Sequence, residues 1–231
     1  MEQLDQVTTI IALSMGVAWA SGINLYAAIL MLGLLGSSGN LVLPPDLQIL
    51  ANPLVIFAAG AMYIIEFVAD KVPGVDNSWD TLHTFIRIPA GAMLAAGAVG
   101  EMDPAVSLAA AIVGGGLAAG THATKAGSRV LINTSPEPFS NWLVSLGEDV
   151  TVLLGLWTAL NYPSVFVVLL VVFVLVMIWL LPKLWRGVKL VFSSLLNLFR
   201  GGRGEPPGPT GPSDIKLPES FPELPGSGKD H

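Results

Sequence analysis

Apolar residues run along this chain in blocks long enough to cross a bilayer core, which takes about 20 residues of helix. The first block, Thr8 to Gly36, is interrupted by Ser21-Gly22-Ile23-Asn24. A second, Pro53 to Ala69, carries Glu66 in its last turn and stops at Asp70-Lys71. After a polar loop from Val72 to Asp80, a third helix is predicted from about Thr81 to Val99, with His83 and Arg87 near its start and a kink at Pro89. Pro104 opens the fourth, which passes Gly114-Gly115-Gly116, breaks near Gly120 and turns polar; a loop follows from Leu131 to Ser140. The fifth, Asn141 to Leu160, holds Glu148 and Asp149, and the sixth, Ser164 to Leu181, holds no charge. The pattern predicts an all-α membrane protein of about six transmembrane helices.

Past Pro182 the period changes. Arg186, Lys189, Ser193, Asn197 and Arg200 recur every three or four residues, opposite Trp185, Val188, Phe192, Leu195 and Phe199. This predicts an amphipathic helix over 183–200 lying in the headgroup layer, with anionic lipid against the bases of 183–203. Docking of that helix on its own bundle is the alternative. Residues 201–231 contain seven prolines and seven glycines and cannot bury a core, so a disordered tail is expected. The organisation is therefore a bundle over 1–182, the amphipathic helix and the tail.

Composition sharpens the class. Only 12% of residues are charged against 52% hydrophobic, and mean hydropathy is +0.67, which excludes an ordinary soluble domain. Charge is placed unevenly: residues 1–182 carry a net −8, 183–203 a net +5 and 204–231 a net −3. With six spans, all nine bases of residues 1–203 fall on the side of the C-terminus, which puts both termini in the cytoplasm. The acidic start at Glu2 and Asp5 argues against a cleaved signal peptide. There is no cysteine, and the three histidines are scattered, so neither a disulfide, a metal site nor a cofactor is expected. No nucleic-acid partner is expected either; the bilayer is the partner the composition demands.

Charges inside a membrane are expensive, about 2.5–3.5 kcal/mol each on insertion scales, so their spacing matters. Glu66 and Asp70 share a helix face at i, i+4, as do Asp80, His83 and Arg87 on the third helix. His122, Lys125 and Arg129 fall within about 60° on a helix of 3.6 residues per turn. Asn141, Ser145 and Glu148 make a polar stripe, with Asp149 just off it. Acidic helices two and five should meet basic helices three and four, Arg87 near Glu66 or Asp70 and Lys125 or Arg129 near Glu148 or Asp149. Together with Asn24 at the first helix break, these thirteen residues are the candidate lining of a polar cavity. The competing expectation is that they are pairs that hold the bundle together.

The two small-residue breaks, Ala20-Ser21-Gly22-Ile23-Asn24 and Ala118-Ala119-Gly120-Thr121-His122, are alike. They are compatible with a three-plus-three inverted repeat whose broken helices one and four meet near the midplane. The sixth helix has no counterpart to His83, Arg87 or Pro89, which counts against the repeat.

Gly22 through Tyr26, Phe67 through Gly91 (FVADKVPGVDNSWDTLHTFIRIPAG), Gly120 through Arg129 (GTHATKAGSR), Ser135 through Trp142 and Gly147-Glu148-Asp149 together resemble the family catalogued as domain of unknown function 4126. The resemblance covers roughly residues 8–160. It implies a bacterial-type integral membrane protein, hence the inner membrane, and brings no activity with it. Its motifs coincide largely with the charged and broken-helix positions.

The leading expectation is a small transporter or channel for a polar or anionic solute or a lipid headgroup. His122, Lys125 and Arg129 would attract the anion, with His83 and Arg87 adding to the field and the carboxylates acting as gates or proton acceptors. A homodimer is expected, since six helices make a small permease. One alternative is a structural or assembly protein whose charges only hold the bundle. Another is a membrane-embedded enzyme acting on lipid headgroups, but no catalytic spacing is recognisable, so enzymatic activity is not the expectation.

Overall fold

The computed structural model describes residues 2–72, 75–134 and 138–201, with the side chains of 138, 139, 141 and 194–201 outside the description. The tail of 202–231, expected to be disordered, lies outside the described residues. Six α-helices and one 3-10 helix make up the described chain: α1 (Glu2–Ser37), a 3-10 helix (Pro45–Ala51), α2 (Pro53–Ala69), α3 (Val75–Val99), α4 (Pro104–Ile132), α5 (Pro138–Asn161) and α6 (Pro163–Gly201). Five helices are long and apolar enough to span a membrane, and a sixth span results if the 3-10 helix and α2, bent by 67°, are taken together.

Helix starts follow from local chemistry. Proline at the first turn, where no amide hydrogen is needed, opens α2 and α4. Asn52 and Asp103 cap those helices by accepting the amide hydrogens of Leu54 and Ala105 at 2.9 and 2.7 Å. Gly39 and Gly100, with φ of +75° and +72°, turn the chain after α1 and α3.

α1 is the central post. In its most apolar stretch 72% of residues are buried, against 17% for α6, and it packs on α2, α3, α4 and α5. Small residues make this possible. A Cβ on Gly22 would lie 2.6 Å from the Ala118 carbonyl oxygen, so α1 and α4 touch backbone to backbone there. A Cβ on Gly114 would run into Ala95, which draws α4 onto α3. Ser14 and Ser21 donate across to the carbonyls of Ala95 and Arg87 on α3 at 2.7 and 2.9 Å. Phe57, Phe85 and Met93 are among the large side chains left facing outward.

Three expectations are corrected. The third helix begins at Val75, not near Thr81, because nothing between Val75 and Asp80 breaks a helix; Asp76, read as a loop residue, is buried on it, as is Asp80. α3 runs as one helical element through Pro89, where the kink was expected. α4 is continuous past Gly120, with Thr121 and Thr124 donating back to the carbonyls of Leu117 and Gly120. Of the two segments α1 alone is broken, at Asn24 (φ −146°, ψ 95°), so their likeness is one of composition and not of backbone. Finally, α6 does not stop near Leu181 but runs on as helix through Pro182 into the basic stretch.

Candidate functional site

The break in α1 exchanges hydrogen bonds. In a regular helix the Ala27 amide would donate to the Ile23 carbonyl. Here it donates to Asn24 Oδ1 at 2.9 Å, and the freed Ile23 carbonyl accepts from Lys125 Nζ at 3.0 Å. A cation thus sits at the C-terminal end of one half-helix and a side-chain cap opens the next. Asn24 Nδ2 donates to Asp149 Oδ1 at 2.9 Å.

Around Lys125 the ion pairs form one network. Arg87 meets Glu66 at 2.5 Å and Asp80 at 3.1 Å. Lys125 meets Asp70 at 2.9 Å, Glu66 and Glu148 at 3.6 Å and Asp80 at 3.8 Å. Arg129 grips both Glu148 oxygens, at 2.5 and 3.3 Å, and reaches Asp70 at 3.5 Å and Asp76 at 3.8 Å. Among the described residues, three cations face five carboxylates, and Glu148, its side chain 15% exposed, is the most accessible of the eight. Oε2 of Glu66, Oδ2 of Asp80 and Oδ2 of Asp149 are buried without a hydrogen-bond partner.

The contacts of His122 make it neutral. Arg87 can only donate, so its 3.1 Å contact makes His122 Nδ1 an acceptor, and Nε2 lies 3.1 Å from the Asp80 carbonyl and 2.8 Å from the Thr84 hydroxyl. His83 stacks on Trp79, places Nδ1 2.9 Å from the Trp79 carbonyl and meets the Tyr26 hydroxyl with Nε2 at 3.1 Å. At the end of α2, burial works against the Asp70 carboxylate, but Lys125 and Arg129 outweigh it and hold its pKa below the ordinary aspartate value. Lys71 is pushed below the usual lysine value by burial, against the opposing pull of Asp149 and Asp70. Its ammonium lies over the Phe67 ring, donates to the Phe67 carbonyl at 3.0 Å and reaches Ser145 Oγ at 3.3 Å.

Twelve of the thirteen sequence-predicted residues therefore converge on one region, and the side chain of the thirteenth, Asn141, lies outside the described residues. The expected pairings of Arg87 with Glu66 and of Lys125 and Arg129 with Glu148 are present. Sequence reasoning missed Asp76, whose carboxylate accepts from Asn133 at 2.8 Å, and the contributions of Lys71, Thr84 and Tyr26.

Beside this network, a cavity of about 280 Å³ opens between α4 and α5. Thr121, Thr124, Lys125, Ser128, Glu148 and Thr151 line it, Ile23 at the helix break forms part of its wall, and Gly147 faces open space. Through Lys125 and Glu148 the charged network borders this cavity.

No curated protein and no solved structure matches this chain. The family model described as "Domain of unknown function (DUF4126)" matches residues 11–183, three quarters of the chain, and the protein belongs to that family.

Proposed function

We propose that this member of the DUF4126 family is a small membrane transporter or channel whose polar solute enters the cavity at Lys125 and Glu148. The observation that carries this is the cavity itself, which meets a buried charge network where the most buried helix is broken. Opened half-helix ends beside a polar cavity are the usual furniture of ion and solute sites in membranes. The lysine and arginine bias supports placing both termini in the cytoplasm, the family likeness supports a bacterial inner membrane, and we take the working unit to be a homodimer.

The sign of the solute departs from the expectation of an anion. His122 is neutral, and each of the three cations is engaged by at least two carboxylates, so that carboxylates outnumber cations among the described residues of the network. A neutral or cationic polar solute fits better than an anionic one. Neither histidine lines the cavity, which weakens the enzyme alternative.

A second reading, buried pairs that only hold the bundle, is favoured by the near-complete burial of Glu66, Arg87 and Arg129. Thiol access separates the two. The chain has no native cysteine, so Ser128→Cys and Gly147→Cys can be challenged in sealed vesicles with a membrane-impermeant reagent. Exposed Ser38→Cys and Ser78→Cys serve as controls. Labelling at 128 and 147 is expected; silence there while the controls react favours the bundle reading.

A further inference from the structure

The polar cavity does not end at Thr151. A second cavity of about 300 Å³, lined by Trp19, Leu154, Thr158, Phe166 and Leu169 among others, shares both Thr151 and Phe173 with the first. The two are neighbours along α5. From Val144 to Thr158 the helix rises about 21 Å, room for a head group and an extended chain. The floor of the second cavity is Trp19, admitted to its place by Gly155, where a Cβ would strike the indole, and flanked edge-on by Phe166 and Phe173 at centroid distances of 6.0 and 6.1 Å. Its rim, Leu154 and Leu169, is 60% and 56% exposed, so the groove opens sideways on the apolar face of the protein.

The polar end has a definite hydrogen-bonding character. The hydroxyls of Thr121, Thr124, Ser128 and Thr151 all donate back to carbonyls of their own helices, at 2.6–2.9 Å. Their lone pairs are what remains for a ligand. Lys125 Nζ is taken up by Ile23 and Asp70. The Glu148 carboxylate completes a wall rich in acceptors, against a network in which carboxylates outnumber cations. Such a wall selects a group that donates and carries positive charge.

We propose that the two cavities form one site for an amphiphile with an ammonium head group, the head at Glu148 and the four hydroxyls, the chain between α5 and α6 over Trp19. This rests on the cavity reading above and adds the class of the molecule that enters it. The test uses the full chain carrying Gly147→Cys in nonionic detergent micelles, where the rate of thiol labelling is followed with hexadecylamine, palmitic acid or ethanolamine added. Hexadecylamine should slow labelling about tenfold, equivalent to about 1.4 kcal/mol of protection, at concentrations that leave Ser38→Cys unaffected. Palmitic acid and ethanolamine should not, and adding Leu169→Trp, which fills the apolar end, should remove the protection. Equal protection by palmitic acid overturns the head-group assignment, and equal protection by ethanolamine overturns the chain. If Cys labelling at 147 proceeds but no probe slows it, the amphiphile proposal fails while the cavity reading stands. If position 147 never labels, both fail.

Discussion

Replacing Arg87 with methionine removes a guanidinium that meets Glu66 at 2.5 Å, Asp80 at 3.1 Å and His122 at 3.1 Å, all essentially dry. The two carboxylates would be left to share Lys125, at 3.6 and 3.8 Å, which already serves Asp70 at 2.9 Å. Stranding one partner of a buried pair costs about 3–5 kcal/mol. There is a ceiling, because a stranded carboxylate escapes by binding a proton. For a glutamate of ordinary affinity, that costs about 1.36 kcal/mol per pH unit above about 4.3, or roughly 3.7 kcal/mol at pH 7 and about 1 at pH 5. Arg87→Met should therefore lose about 4 kcal/mol relative to wild type at pH 7 and about 1 at pH 5. Adding Glu66→Gln should restore most of the loss at pH 7, since it removes the charge while keeping the shape. Unfolding by sodium dodecyl sulfate in mixed micelles, followed by tryptophan fluorescence at both pH values, measures all three. An equal loss at pH 7 and pH 5, or no recovery in the double variant, would refute the stranded-charge account.

Three further outcomes follow from other contacts and are read in the same unfolding assay. Gly22→Ala should cost about 1–3 kcal/mol by forcing α1 from α4, whereas Gly116→Ala, with open space at its Cβ, should be neutral or slightly stabilising. Asn24→Ala should cost about 1–3 kcal/mol, because it uncaps Ala27 and strips Asp149 of its side-chain donor. Asp70, held below the ordinary aspartate value of about 3.9, contributes stability that is complete above that pH and is lost as pH falls through the lower folded value. The acid limb of a stability profile below about pH 4 should accordingly flatten in Asp70→Asn.

Much of this architecture is legible along the chain because the signals are local. Pro53 and Pro104 mark helix starts, and Ser21-Gly22-Ile23-Asn24 marks a break, since asparagine can cap the helix that follows. The similar pattern at Gly120-Thr121-His122 misleads for a reason that is not local. Thr121 turns its hydroxyl onto its own helix, and His122 finds partners on α3, so no backbone group is left for a break to satisfy. The convergence of charges could be read from cost alone, because unpaired they could not be buried, yet that rule does not name partners. Asp76 looked like a loop residue until α3 carried it inward to Arg129 and Asn133. Cavity shape and hydroxyl direction depend on which helix stands opposite, and a single sequence does not state that.

The helix break bears on whether these charges form a site or a clamp. A clamp requires cations and carboxylates to neutralise one another, and α2, α3, α4 and α5 hold all the partners needed for that. It does not require α1, the most buried helix, to give up a backbone hydrogen bond. Yet the Ile23 carbonyl is released to Lys125, so that this one cation is fixed by main chain as well as by carboxylates. Anchored in that way, Lys125 would keep its place while the carboxylates around it exchanged a proton or met a passing cation. On the proposed cavity reading, a main-chain anchor of this kind is what would let the charge around Lys125 change in use, whereas ion pairing alone calls for no such anchor.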